Sequence, residues 1–212
     1  MAALSFLPLT MNDTSRYSTS STIMSATKIP ALGYALLGLL QKPSSGYDLR
    51  KVFSSTSMKT YSDSPGAIYP ALGRLEKLGL IRGTIEEGSG MRRRQVFRLT
   101  PKGLDELKQW ITRPVTREDM VRGSQEIILR FAFCETAVGA AAAVDLLRSL
   151  ESALTAYVTD LHQELQAFPP AMPMSGRLAF ESGIRGTQCF LEWTHYALAA
   201  YEKEGQKKGG TS

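Results

Sequence analysis

The sequence predicts a mainly α fold with a small β-wing: a winged helix-turn-helix followed by an all-helical C-terminal dimerisation region. Three observations predict it. Between Pro30 and Leu99, three helical stretches precede two strand-like stretches joined by a basic turn. Beyond residue 117 the apolar residues recur at helical spacing. Charge divides the chain: residues 28–103 carry 13 Lys and Arg against 5 Asp and Glu, whereas residues 104–212 carry 11 against 14. A basic module joined to a mildly acidic one is the electrostatic footprint of nucleic-acid binding.

Each element has its own signal. Residues 1–28 are Ser- and Thr-rich, lack periodicity and are expected to form a disordered arm. Met24 offers an alternative start, and MAALSFLPLT lacks the basic flank of a secretory signal. From Pro30 a helix begins. Leu32, Leu36, Leu37, Leu39 and Leu40 make it apolar on most sides, so it should be buried. Lys42 to Ser45 stops it, and Ser45 caps a second helix over residues 46–53. Leu49, Val52 and Phe53 face inward there, leaving Arg50 and Lys51 for phosphate. Residues 54–63 read as polar linker with Met58 and Tyr61 as anchors. Ser64 caps a third helix, and Pro65 suits its first position, where the missing N–H costs nothing. Ile68, Leu72 and Leu75 form its apolar face; Tyr69, Gly73, Arg74 and Lys77 lie elsewhere. Gly79 ends it.

Residues 80–85 and 95–99 then read as a β-pair. The turn between them holds Gly88 and Gly90 and the run Arg92-Arg93-Arg94. Thr100-Pro101 opens another helix, with Leu104, Leu107, Trp110 and Ile111 on its apolar side. Arg113 to Thr116 marks a domain boundary. One helix is predicted from Glu118 to Cys134, a second over residues 137–166 and a third over residues 175–204. Leu147, Leu150, Leu154, Tyr157 and Leu161 form a seam like that of a coiled coil. On the last helix Ile184, Gln188, Leu191, His195 and Leu198 share one stripe, with Phe190, Trp193 and Ala197 beside it. Residues 205–212 read as a frayed tail. The predicted division is therefore 1–28 arm, 29–113 winged helix, 117–204 helical dimerisation and effector region, and 205–212 tail. Apolar faces on two long amphipathic helices call for a partner subunit.

Leu37-Gly38-Leu39-Leu40, Gly46-Tyr47-Asp48-Leu49, Ser64-Pro65-Gly66-Ala67-Ile68-Tyr69-Pro70-Ala71-Leu72, Arg74-Leu75-Glu76, Gly79-Leu80-Ile81 and Arg98-Leu99-Thr100-Pro101-Lys102-Gly103 occur in this order. Together they resemble the PadR family of transcriptional regulators over about residues 31–110. The long second half resembles the longer PadR subfamily, whose helical C-terminal region is related to virulence activators of the AphA type. The resemblance implies that Pro70, which alone would argue for a shorter helix, sits within a recognition helix. Two departures stand out. Gly73 replaces a larger, often basic residue, and Gln95-Val96 replace basic and aromatic wing residues.

A helix with a partly basic outer face beside a basic hairpin suits duplex DNA, the helix entering the major groove and the hairpin meeting the adjacent backbone. The candidate DNA-binding residues are Tyr47, Ser64, Gly66, Ala67, Tyr69, Pro70, Arg74, Arg92, Arg93, Arg94 and Gln95. Gly66, Ala67, Tyr69 and Pro70 would lie nearest the bases, and Arg74, the wing arginines and Gln95 nearest the phosphates. Phe131, Trp193 and His195 are candidate effector-binding residues. The resemblance implies a small effector, often a phenolic acid or another aromatic compound. The expected partners are a palindromic operator, a second copy of the chain and that effector.

Other chemistry lacks its residues. Only two histidines are present, and His195, among apolar and aromatic neighbours, is expected to be an interior or interface residue. Cys134 and Cys189 have no partner spacing and read as small buried residues in a reducing, cytoplasmic compartment. No nucleophile turn, phosphate loop or metal-ligand spacing occurs. No catalytic residue, metal or cofactor is expected, and no apolar run reaches the roughly 20 residues of a membrane span. A winged-helix protein–protein adaptor remains the alternative to a DNA-binding repressor.

Overall fold

The structure, a computed structural model, describes residues 29–61, 65–87, 93–122, 124–168 and 172–209. The expected N-terminal arm, Ser64, the wing turn with Arg92, and the last residues of the expected frayed tail lie outside them.

Helix α1 (Ala31–Leu39) is nearly all core: Ala35, Leu36 and Leu37 are fully buried. The strand β1 (Ser44–Ser45) follows, then α2 (Gly46–Ser55). Ser45 caps α2 through both atoms of its hydroxyl. Its Oγ accepts from Asp48 N at 3.2 Å and donates to Asp48 Oδ2 at 2.7 Å. The linker after α2 is not wholly irregular; Ser57–Tyr61 form a short 3-10 helix. Tyr61 does anchor it, its hydroxyl donating to the Gln125 carbonyl at 2.6 Å.

Helix α3 (Pro65–Lys77) continues through Pro70 and buries Ile68, Ala71, Leu72 and Leu75. Gly79, at φ +71°, turns the chain in a left-handed conformation open to glycine. The strands β2 (Ile81–Glu87) and β3 (Arg93–Leu99) pair antiparallel from Ile81↔Leu99 to Glu87↔Arg93, two residues farther toward the turn than the apolar pattern predicts. The predicted β-pair is in fact a three-stranded sheet, in the order β1-β3-β2. Ser44 and Ser45 pair with Phe97 and Val96. A two-residue strand carries no periodicity, so only its partner reveals it.

Helix α4 (Pro101–Thr112) is clamped onto the turn before β2. Thr100 N–H donates to Leu80 O at 3.0 Å, the Thr100 hydroxyl donates to Gly79 O at 2.7 Å, and Gly103 N–H donates to that hydroxyl at 3.0 Å. Gly103 has to be glycine for this approach: a Cβ there would stand 1.9 Å from Leu80 O.

The predicted helix Glu118 to Cys134 is two helices, α5 (Arg117–Arg122) and α6 (Gln125–Ala137). The first ends at Arg122 and the second begins at Gln125, directly after Ser124. Helix α7 (Ala140–Gln166) buries Leu147, Leu150, Leu154 and Leu161 as the seam predicts. Helix α8 (Met174–Gly209) runs beyond the predicted end and makes residues 205–209 helical rather than frayed. Lys207 in its last turn suits the negative end of the helix dipole.

One buried cluster joins α1, α3 and α4 to Leu129 and Cys134 of α6 and Ala143 of α7. The turn at residues 114–116 is therefore bridged by packing. Tyr34 stacks on Trp110 with ring centroids 4.3 Å apart, and Trp110 Nε1 donates to Glu126 at 3.1 Å. Arg113 binds Asp119 with two bonds of 3.0 and 2.8 Å and reaches Glu126 at 2.9 Å. Arg130, fully buried on α6, donates to the carbonyls of Ile111 and Arg113 at the end of α4. Burial pulls its guanidinium down to about 10.

Candidate nucleic-acid interface

The local folding of α2, α3 and the wing decides what faces outward. Once Ile68, Ala71, Leu72 and Leu75 turn inward, helical geometry leaves Gly66, Tyr69, Pro70 and Arg74 exposed, with Ala67 half-buried. Tyr69 is 51% exposed and Tyr47, at the start of α2, 62%. The two helices meet where the Tyr69 ring crosses Gly46: a Cβ at Gly46 would stand 2.7 Å from Cε1 of that ring. Tyr69 thus lies on α2 with one side and faces solvent with the other. The Arg50 guanidinium sits 5.6 Å from the Tyr47 ring centroid.

The wing is fixed to the end of α3. Gly83 N–H donates to the Glu76 carboxylate at 2.7 Å. Gln95 lies beside that junction, its Nε2 2.5 Å from where a Gly83 Cβ would stand. Arg93, Arg94 and Gln95 are all exposed. Arg98 is occupied, donating to Glu86 at 2.6 Å and to the Thr84 hydroxyl at 3.0 Å. Arg82, exposed on β2, adds a cation that the search for basic clusters misses; strand alternation would have found it. Three acids of this surface have partners of their own: Asp48 with Ser45, Glu76 with Gly83, and Glu86 with Arg98. Its cations Arg74, Arg82, Arg93 and Arg94 form no ion pair among the described residues.

The effector candidates separate. Phe131 on α6 meets Trp193 on α8 edge to face, with centroids 5.5 Å apart, and Phe190 stacks on Trp193 at 5.5 Å. Tyr201 closes the group 6.3 Å from Phe131. Burial and the Glu135 carboxylate, which accepts its hydroxyl at 3.0 Å, push the Tyr201 phenol up to about 12. His195 does not join them. It is exposed and pairs with Glu151 of α7 at 3.0 Å. The stripe buried on α8 runs instead through Ile184, Thr194 and Ala197, turning His195 outward. Cys189, expected to be buried, is exposed, whereas Cys134 is buried. A cavity of about 210 Å³ lies beside the aromatic group, between Met120, Leu154, Tyr157, Thr187 and Phe190. Among the described residues no cluster of His, Cys, Asp and Glu is arranged to hold a metal. No helix among them is long and apolar enough to cross a membrane.

A winged helix with a cationic, aromatic outer face defines the class, and residues 36–109 match the "Transcriptional regulator PadR-like family". The chain thus carries a domain of this family, which consists of transcriptional regulators rather than enzymes. It is similar to the negative transcriptional regulator PadR of Bacillus subtilis, with 28% identity over 184 residues covering 82% of this chain and 98% of that protein. The crystal structure of that regulator with operator DNA covers 82% of this chain and 99% of its own at 25% identity and a TM-score of 0.38. Its structure with p-coumaric acid covers 81% and 96% at 25% identity and a TM-score of 0.33. A PadR-like regulator from Bacillus cereus is 32% identical over 37% of this chain and 76% of that one, with a TM-score of 0.34.

Proposed function

We propose that this chain is a cytoplasmic, homodimeric repressor that binds a palindromic operator through α3 and the wing and is released by a small aromatic effector. The observation that carries this reading is the surface on which Tyr47, Tyr69, Pro70 and Arg74 are exposed together with Arg93, Arg94 and Gln95, while Asp48, Glu76 and Glu86 are held by partners. Such a face attracts phosphate and leaves aromatic and small side chains for base edges. Residues 29–113 would read DNA, and residues 117–204 would pair two copies so that their recognition helices meet successive major grooves about one turn apart. The likeness to the negative transcriptional regulator of Bacillus subtilis, which covers 82% of this chain, supports the reading as a repressor.

Release by an effector needs a differential affinity between the DNA-competent and other arrangements. A tenfold loss of operator affinity requires about 1.4 kcal/mol of coupling. The group formed by Phe131, Trp193 and Phe190, with its adjoining cavity, is the proposed effector region.

The test is a gel shift on the promoter upstream of the protein's own gene, with competitor DNA and with phenolic acids. A shift that survives unspecific competitor and is lost with a phenolic acid supports the reading. Weak, salt-sensitive binding to any DNA would replace it with an adaptor role.

A further inference from the structure

We propose a second ligand site on the recognition helix itself, for a compact amphipathic organic anion. A cleft of about 390 Å³ lies between the start of α1 and the C-terminal half of α3. That volume falls in the usual range of small-molecule sites, about 300–1,000 Å³. Its floor is apolar, made by Leu32, Ala71, Leu75 and Leu78, and its rim carries Arg74 and Lys77.

Charge complementarity selects the occupant. Arg74 and Lys77 are three residues apart on α3 and so lie on one side of the helix. Both are exposed, and neither forms an ion pair among the described residues. Among the described residues no acidic one lines the cleft. Glu76, between the two cations in sequence, is turned away to Gly83 N–H. The negative end of α3 does not offset the cations either, because Lys102 Nζ donates to Leu78 O at 2.9 Å. An apolar body with one carboxylate or sulfonate satisfies floor and rim together; a neutral apolar molecule leaves the rim unused.

The site is tied to DNA reading through Arg74. An anion held by Arg74 and Lys77 competes with the operator phosphate for Arg74. This consequence rests on the proposed DNA interface; ligand binding does not.

Anilinonaphthalene sulfonate and its uncharged counterpart N-phenylnaphthylamine test the site on the full chain, by fluorescence titration. Saturable binding of the sulfonate at one per chain is expected. Lys77→Gln should weaken it by roughly tenfold, the worth of one charge-assisted bond, and change the uncharged probe by less than about twofold. Equal binding of both probes, or no effect of Lys77→Gln, would overturn the proposal by placing the dye on another apolar surface. Sulfonate binding that appears only after residues 1–23 are removed would also overturn it, making the N-terminal segment the occupant of the cleft. A promoter fragment supplies the second arm. Release of DNA by the sulfonate, shifted about tenfold in Lys77→Gln, supports the coupling. Sulfonate binding at the cleft with DNA unaffected supports the ligand site and removes Arg74 from the DNA face.

Discussion

Arg93 and Arg94 differ from Arg98 in what holds them. All three lie on β3, yet Arg98 is bound to Glu86 and Thr84 while the other two stand exposed without an ion pair among the described residues. Replacing Arg93 and Arg94 by Ala should weaken all DNA binding and reduce the slope of log affinity against log salt by about 0.9 per lost phosphate contact. Replacing Arg98 should change that slope less. Filter-binding series at several salt concentrations separate the two. Asp119 is a second residue whose surroundings decide its behaviour. Burial alone would push its carboxyl up; the Arg113 guanidinium and the Thr116 N–H and hydroxyl outweigh burial and hold it down to about 2, from an ordinary 3.8. A depressed folded-state value adds stability above the ordinary value, and that stability is lost as pH falls through the depressed one. Asp119→Asn should therefore lower the melting temperature at neutral pH, with the gap to the unmodified protein closing between about pH 4 and pH 2.

Helix α3 carries two opposed sequence features, Pro70 and Gly73. Pro70 removes an N–H, while Gly73 has open space where a Cβ would stand. Gly73→Ala should thus raise stability by about 1 kcal/mol in a denaturant titration. A loss of operator affinity with that gain would mean that backbone approaches DNA at this position. The cap of α4 is the contrary case. Gly103→Ala places a Cβ against Leu80 O, a backbone atom that cannot turn aside, and should destabilise by about 1–3 kcal/mol. The Thr100-Pro101-Lys102-Gly103 motif thus acts as a clamp from α4 onto the turn between α3 and β2.

At the scale of the molecule, α6 joins the two halves. A Cβ at Gly38 of α1 would stand 2.2 Å from the Phe133 ring of α6, and Arg130 of α6 caps the end of α4. Gly38→Ala should destabilise by about 1–3 kcal/mol, and Phe133→Ala in the same chain should recover part of that loss, a coupling that a thermal double-mutant cycle reads directly. Because α6 packs on α1 and α4, a shift of α6 moves the base on which α3 rests. Met174, Leu178 and Tyr196 of α8 are exposed, apolar surface that the proposed dimer would cover. Light scattering of the full chain should give twice the mass of one chain; the mass of one chain would sink the dimer.

The order of elements was legible in the sequence because helical spacing, caps such as Ser45 and Thr100, and breakers such as Gly79 are local signals. The outward face of α3 was legible for the same reason: once Ile68, Leu72 and Leu75 are inside, Tyr69 and Arg74 have nowhere else to go. Tertiary structure alone decided the rest. The strand Ser44–Ser45 exists only because β3 lies beside it. His195 turns out to Glu151 because packing against α7 selects the stripe through Ile184, Thr194 and Ala197, a choice that a helix with two apolar stripes leaves open. The glycines at 38, 46 and 103 read in sequence as family motif and in space as the contacts that let α6, Tyr69 and Leu80 come close. Which wing cation is paired among the described residues was likewise decided by side-chain contact rather than register, since Glu86 is set opposite Arg94 yet bonds Arg98. Local propensities determine which segments form; burial and pairing between distant segments determine which of their side chains remain for function.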